Sequence, residues 1–231
     1  MRNTFNIDRI AFIGRTFAEY ISLFDLCEKT LRHGPVLDCP AGSASFTAEA
    51  HKSGIDVTAC DILFGSDVNS LIEKGRKDIQ HIYEKVSEAT HLFNWDYYGS
   101  IENLIALRES ALDLFAGDFT DGYREGRYRY AKLPHLPFPG NHFSLVLSSH
   151  FLFLYSDRLG FDFHMECIKE FVRVCSGEIR IYPLTTLDAR PCPYLNDIIV
   201  SLRSSGIDVE ITRVPFEFQK GSGRMMKIIC R

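Results

Sequence analysis

Two hydrophobic patterns alternate along this chain. Short, nearly continuous apolar runs are typical of buried strands, whereas apolar residues spaced three and four apart are typical of helices with one buried face. The runs predict strands over residues 36–39, 57–60, 128–133, 143–148, 178–182, 209–216 and 225–230. The spaced pattern predicts helices over residues 8–32, 44–53, 68–88, 100–115, 161–175 and 194–205. Strands that alternate with helices indicate an α/β fold with a parallel sheet and right-handed crossovers.

The last two predicted strands are joined by the short, glycine-rich segment 219–223, which favours an antiparallel hairpin. A doubly wound dinucleotide-binding fold more usually keeps alternating strands and helices to its end. We therefore predict a mostly parallel, seven-stranded sheet that is closed by a C-terminal antiparallel hairpin.

A long insertion, residues 64–127, separates the second and third predicted strands. Its two helices exceed an ordinary connection, and long insertions often cover a binding site. We predict a helical lid, with a purely structural flank as the alternative. Gly122 and Gly126 indicate a loop over residues 117–127. With N-terminal cap helices within residues 1–33, the 231 residues are predicted to form a single domain.

Composition narrows the function classes. Hydrophobic residues make up 45% of the chain, charged residues 24%, and the net charge is −4 without a basic run, so nucleic acid is not a favoured partner. The seven cysteines are odd in number and form no C-x-x-C pair, which predicts free thiols in a reducing cytosol and no metal site. The N-terminus lacks a signal-peptide core, and the apolar stretch 143–155 is too short to span a bilayer. We therefore expect a cytoplasmic protein, monomeric or homodimeric, without membrane attachment.

Two carboxylates follow the first two predicted strands, where open parallel sheets bind ligands. Asp38 ends the first, and Gly42 is the small residue that lets a ligand approach the following turn. The helix start beyond it offers N–H donors and a partial positive charge. Asp61 ends the second strand, where a carboxylate can accept hydrogen bonds from both hydroxyls of a ribose. The alternative for Asp61 is a helix N-cap.

Three segments together carry a family resemblance. They are Val-Leu-Asp-Cys-Pro-Ala-Gly at residues 36–42, Val-Thr-Ala-Cys-Asp at 57–61, and Leu-Pro-Phe-Pro-Gly-Asn-His-Phe-Ser-Leu-Val-Leu-Ser-Ser-His at 136–150. From residue 13 onwards the chain resembles class I S-adenosylmethionine-dependent methyltransferases, in particular an uncharacterised bacterial branch. The resemblance implies a Rossmann-like methyltransferase fold with S-adenosylmethionine as cofactor.

By the same resemblance, residues of this chain acquire expected roles. The methionine portion of the cofactor would lie against Asp38, Pro40, Ala41 and Gly42. Asp61 would hold the ribose, and Ile62 and Leu63 would flank the adenine. Ser148 and Ser149, at the tip of the fourth strand, would face the transferred methyl group. These cofactor-binding candidates are therefore Asp38, Pro40, Ala41, Gly42, Asp61, Ile62, Leu63, Ser148 and Ser149.

The chain departs from the family at two places. The usual Asp-x-Gly-x-Gly-x-Gly reads Asp38-x-Pro40-x-Gly42-x-Ala44, and Ala131-Lys132 occupies the place of an acid that often reads the adenine amino group. No Asn/Asp-Pro-Pro-Tyr/Phe motif follows the fourth strand, which disfavours methylation of nucleobase nitrogens.

Three side chains are catalytic candidates. His150 could act as a general base, since an imidazole titrates near neutral pH, or could anchor its loop. Tyr20 and Tyr155 could shape the methyl pocket, with core packing as their alternative. The resulting hypothesis is methyl transfer from S-adenosylmethionine to a small-molecule acceptor. Two rivals remain: a catalytically degenerate module that binds the cofactor or a partner, and a nicotinamide oxidoreductase.

Overall fold

In the computed structural model, which describes residues 7–230, the elements are arranged around a seven-stranded sheet. Its strands are β1 (Val36–Asp38), β2 (Val57–Asp61), β3 (Tyr128–Tyr130), β4 (Phe143–Ser149), β5 (Cys175–Tyr182), β6 (Asp208–Arg213) and β7 (Arg224–Ile229). Their spatial order is β3-β2-β1-β4-β5-β7-β6. β1 to β5 run parallel, and β7 is antiparallel to both β5 and β6. The predicted Rossmann-like methyltransferase fold, with its antiparallel C-terminal hairpin, is confirmed.

Helices cover both faces of this sheet. They are α1 (Phe17–Leu23), α2 (Glu28–Leu31), α3 (Phe46–Lys52), α4 (Val68–Glu88), α5 (Ile101–Glu125), α6 (Phe161–Val174) and α7 (Leu195–Ser204). Successive strand residues point to opposite faces. Leu145 and Leu147 of β4 therefore pack on the face covered by α1 and α3, while Val146 packs on the face covered by α6 and α7. β4 is buried on both sides, as its continuous apolar run predicts.

The insertion after β2 consists of α4 and α5, which pack against each other beside β2 and β3. The prediction of a loop over residues 117–127 is wrong, because α5 continues to Glu125. Phe115, Phe119 and Gly122 extend its buried face at helical spacing. Gly122 lets the Tyr128 ring pack against the helix backbone, since a Cβ there would lie 2.5 Å from a ring carbon. The helix ends only at Gly126, which has a φ of 91° and forms a left-handed cap.

The N-terminal helix also starts later than predicted, because residues 7–16 are not helical. We call residues 7–16 the strap. Helix α1 begins after Thr16, which forms a capping box with Glu19. Within the strap, the Phe12 N–H donates to the Asp78 carboxylate over 2.7 Å, and the Ala11 N–H donates to the Tyr155 hydroxyl over 3.1 Å. Distant side chains thus satisfy backbone groups that a helix would have satisfied locally.

Two general features complete the fold. The seven cysteines have free thiols, and five of them are buried. None of the helices within residues 7–230 is long and apolar enough to cross a membrane.

Candidate functional site

A cavity of about 460 Å³ lies at the carboxyl ends of β1, β2 and β4. This size is ordinary for a small-molecule site. Its walls come from the strap, from α4 and α5, and from the connections after β3, β4, β5 and β6. The insertion therefore contributes directly to the cavity through Lys74, Ile82, Val86, Leu104 and Arg108. Open α/β sheets bind ligands at this edge.

The turn after β1 forms the floor of the cavity with Pro40, Ala41 and Gly42. Gly42 has a φ of 57°, in the left-handed region that favours glycine. A Cβ on Gly42 would lie 2.9 Å from the carbonyl oxygen of Ile13, so the strap passes directly over this turn. The position needs glycine for its backbone conformation and for this close approach.

The strap also covers the start of α3. The Ser45 N–H donates to the carbonyl of Arg15 over 3.1 Å, and a Cβ on Gly14 would lie 1.9 Å from the Ser43 carbonyl oxygen. The sequence predicts free N–H groups at the start of α3 for a ligand. The N–H group of Ser45 is not free, because it bonds to the strap. A ligand that reaches the β1 turn contacts the strap as well as the turn.

Asp61 lines the cavity at the end of β2 and is only 7% exposed. One carboxylate oxygen accepts from the Gly42 N–H over 3.0 Å, and the other accepts from the Leu63 N–H over 2.9 Å. Burial raises the pKa of Asp61, and the bonds from Leu63 and Gly42 partly oppose the rise. Asp61 therefore caps the 3-10 helix Ile62–Gly65, as the structural alternative held. Each oxygen still has a second lone pair, so capping leaves room for a ligand hydroxyl.

Asp38 ends β1 but does not line the cavity, whereas Tyr20, which bonds to it, does. The Tyr20 hydroxyl donates to the Asp38 carboxyl, with both oxygens 3.0 Å away. Burial raises the pKa of Asp38 to about 8 and that of Tyr20 well above its usual value. Tyr20 itself lines the cavity and stacks on Phe46, with ring centroids 4.4 Å apart. Tyr20 therefore packs in the core and also lines the cavity, and its role in shaping a methyl pocket stays a prediction.

Ser149 and His150 bring polar atoms to the cavity from the end of β4. The Ser149 Oγ and His150 Nδ1 atoms are 2.8 Å apart, and His150 has a φ of 52°, which is rare for a residue other than glycine. Burial, followed by the charges of Arg15 and Arg108, holds the pKa of His150 well below its usual value. The imidazole is therefore neutral near pH 7. Ser148, by contrast, is buried outside the cavity lining.

A buried ion pair joins α1 to α5 of the insertion. Glu19 and Arg108 are 0% and 3% exposed at their side chains, with the Arg108 Nη1 atom 2.9 Å from Glu19 Oε2. Tyr98 donates to the same carboxylate, and Arg108 also donates to the carbonyl of Gly14 over 3.1 Å. We call Glu19, Tyr98 and Arg108 the Glu19 cluster. It holds the strap against α5 and so shapes the wall of the cavity.

Most candidates from the sequence are brought together in the cavity: Tyr20, Pro40, Ala41, Gly42, Asp61, Ile62, Leu63, Ser149, His150 and Tyr155. Asp38 and Ser148 are not among the lining residues. Sequence reasoning missed Arg108 and Lys74. A signal for Arg108 exists, because it interrupts an apolar stripe formed by Leu104, Leu112 and Phe115 at helical spacing. Among residues 7–230, no group of three or more His, Cys, Asp or Glu side chains is placed to hold a metal ion.

Comparison with known proteins identifies a relative and a set of similar folds. "Uncharacterized protein MJ0045" of Methanocaldococcus jannaschii is 30% identical over 224 residues, which cover 96% of this chain and 97% of that protein. No family model matches the chain.

Solved structures resemble the chain more distantly. Magnesium protoporphyrin IX methyltransferase from Synechocystis PCC 6803, crystallised with bound S-adenosylmethionine, is 11% identical, with a TM-score of 0.46 over 87% of this chain and 72% of that one. A TehB-like methyltransferase from Corynebacterium glutamicum is 14% identical, with a TM-score of 0.47 over 87% of this chain and 81% of that one. Likeness at this level describes shape and carries nothing about activity.

Proposed function

We propose that this chain, which belongs to the family of the uncharacterised Methanocaldococcus jannaschii protein MJ0045, binds S-adenosylmethionine and transfers its methyl group to a small apolar molecule. One observation carries the proposal. A sheet of order β3-β2-β1-β4-β5-β7-β6 holds a cavity of about 460 Å³ at the carboxyl ends of β1, β2 and β4, and Gly42 and Asp61 line it.

The residues at the β2 side of the cavity fit the nucleoside part of the cofactor. Asp61 has its carboxylate fixed by two backbone N–H groups, and its free lone pairs suit the two ribose hydroxyls. Ile62 lines the cavity and is 49% exposed, so much of its apolar side chain is open to a ligand. A flat adenine ring lying between Ile62 and the segment 131–133 would cover it.

At the β1 side, Ile13 of the strap and the β1 turn would hold the methionine part. The cofactor supplies an activated methyl group on a sulfonium. The chain then has to align the acceptor, exclude water and, for a weakly acidic acceptor, remove a proton.

His150 is the group we propose to remove that proton. The Ser149 Oγ atom lies 2.8 Å from His150 Nδ1. When Ser149 accepts from Nδ1–H, Nε2, which makes no hydrogen bond to a described residue, is the unprotonated nitrogen of the ring. Ser149 is thus the positioning residue for His150.

The test is calorimetric titration with S-adenosylmethionine and S-adenosylhomocysteine near neutral pH. Two charge-assisted hydrogen bonds at about 1.5–3 kcal/mol each predict at least roughly 100-fold weaker binding in Asp61→Asn. Asp67→Asn is the matched control, since Asp67 also caps a helix with its carboxylate but lies outside the cavity. If the folded wild-type chain binds neither S-adenosylmethionine nor S-adenosylhomocysteine, the proposal is wrong. Tight binding of NADH instead would favour the oxidoreductase.

One observation favours the non-catalytic alternative. Tyr20 blocks Asp38, and the strap lies on the β1 turn, so the chain offers this part of the cofactor different contacts from those the family pattern implies. A single-turnover assay separates the two functions. Methyl transfer from bound cofactor to an apolar acceptor supports the enzyme, whereas cofactor binding without transfer to any of a broad acceptor panel supports a binding module.

A further inference from the structure

Arg15 is a cation without a partner at the cavity wall. Four arginines within residues 7–230 are not exposed: Arg15, Arg108, Arg127 and Arg180. Arg108 pairs with Glu19, Arg127 with Asp118 over 2.7 Å, and Arg180 with Glu178 over 2.9 Å. The Arg15 guanidinium lines the cavity with no hydrogen bond or ion pair to a described residue, and its Nε atom is buried without a partner. No described anion pairs with this cation, so a ligand anion in the cavity would meet an unpaired positive charge.

The surroundings of Arg15 do not neutralise its charge. Burial, followed by the nearby charge of Arg108, lowers the pKa of Arg15. Glu19 is already committed to Arg108, Tyr98 and Thr16. Asp38 has its pKa raised to about 8 by burial, so it is mostly protonated near pH 7. The cavity therefore keeps one uncompensated positive charge at this point.

The position of the guanidinium decides which part of a ligand would meet it. Its charge lowers the pKa of His150 and acts on Tyr155 and Tyr182, which lie at or after the ends of β4 and β5. It also acts on Tyr20, which bonds to Asp38 at the end of β1. Arg15 lines the cavity together with Tyr20 and His150, so a ligand anion that pairs with it would lie at the β1 and β4 ends of the cavity.

Apolar side chains surround this side of the cavity. They come from the connection after β4, from α6 and from the connections after β5 and β6: Phe151, Leu154, Leu159, Phe163, Leu187 and Phe218. This lining and the Arg15 cation together would accept a ligand with an apolar body and a single anionic group. A planar guanidinium matches a carboxylate through two parallel hydrogen bonds.

We propose that the methyl acceptor is an apolar carboxylic acid whose carboxylate pairs with Arg15. The role of this acid as methyl acceptor rests on the proposed function. The carboxylate-binding site at Arg15 can be tested without the cofactor.

The first experiment measures binding of 4-phenylbutyrate and decanoate by calorimetry, each against its neutral amide. The wild-type chain is expected to bind each carboxylate at least about tenfold more tightly than its amide, and Arg15→Gln is expected to lose that preference. Lys132→Gln is the matched control, because Lys132 lines the cavity but is exposed, and it should keep the preference. A wild-type chain that binds neither carboxylate, or binds amides equally well, overturns the proposal.

A second arm asks whether the cofactor supplies the anion. Arg15→Gln should bind S-adenosylhomocysteine as tightly as the wild type does. If Arg15→Gln weakens S-adenosylhomocysteine tenfold but leaves 5′-methylthioadenosine, which lacks the amino-acid tail, unaffected, the carboxylate belongs to the cofactor and the proposal is wrong. If the wild type fails to bind S-adenosylhomocysteine but keeps its Arg15-dependent preference for carboxylates, the proposed methyl transfer is wrong and the carboxylate site stands. Thermal unfolding verifies that Arg15→Gln is folded, and a melting temperature equal to or above that of the wild type is expected.

Discussion

Replacing Glu19 by Gln tests whether the Glu19 cluster holds the strap over the cavity. The substitution keeps the size of the side chain and its capping-box geometry, since Gln also serves at that position. It removes the negative charge that Arg108 faces and that Arg15 also feels. Arg108, 3% exposed at its side chain, is then left without a counter-charge.

The structure sets the size of the effect. The charge of Arg108 and its hydrogen bonds outweigh burial and lower the pKa of Glu19 from 4.5 to about 2. At about 1.4 kcal/mol per tenfold change in proton affinity, this corresponds to roughly 3 kcal/mol of stability near neutral pH. Removing one partner of a buried pair typically costs about 3–5 kcal/mol, which agrees. For a chain of this length the melting temperature should fall by roughly 6–12 °C.

The pH dependence has a defined sign. Because the pKa of Glu19 is lower in the folded than in the unfolded chain, its stabilisation is complete above about pH 4.5 and is lost as the pH falls towards about 2. The difference between wild type and Glu19→Gln should therefore be largest near neutral pH and shrink on acidification through that window.

Urea unfolding followed by circular dichroism measures the free energy of unfolding at neutral and acidic pH. Glu28→Gln is the matched control, since Glu28 and Arg32 form an exposed pair with side chains 76% and 45% accessible, and such pairs contribute about 1 kcal/mol at most. A double variant, Glu19→Leu with Arg108→Met, should recover much of the loss, because an apolar pair avoids the buried charge. A loss in Glu19→Gln no larger than that in Glu28→Gln would refute the reasoning.

Three further predictions concern the cavity. Gly42→Ala should destabilise the chain and weaken S-adenosylhomocysteine binding more than Gly54→Ala does. Both glycines have a positive φ, but only Gly42 lies against Ile13. Equal losses of roughly 1–2 kcal/mol in the free energy of unfolding would show that backbone conformation alone matters. Wild-type affinity for S-adenosylhomocysteine should fall as acidification protonates Asp61, whose pKa burial raises, and calorimetry of Asp61→Asn should show a weaker affinity without that pH dependence. Once an acceptor that loses a proton is known, His150→Gln should slow single-turnover methyl transfer by about 10²–10⁴-fold while leaving the affinity for S-adenosylhomocysteine unchanged; an unaltered rate would remove His150 from the mechanism.

Local patterns in the sequence were sufficient for the strands and for the main carboxylate of the site. β4 follows from one apolar run, and Gly42 and Asp61 follow from their places at the ends of β1 and β2. The ends of parallel strands meet at one edge of a sheet, so a strand end in the sequence is already a position in space. The end of α5 was missed because Gly117 and Gly122 resemble a loop, whereas in the fold Gly122 makes room for Tyr128.

The sequence by itself therefore determined the sheet, its terminal hairpin and which side chains stand at its ligand-binding edge. Only the tertiary structure decided the path of the strap, the pairing of Glu19 with Arg108 across 89 positions, and the unpaired state of Arg15. The physical reason is that hydrophobic periodicity reports burial within one element, whereas a buried charge depends on partners that folding brings from distant segments. Arg15 and Arg108 are both arginines in largely apolar stretches, and nothing local distinguishes the one that Glu19 neutralises from the one that faces the cavity.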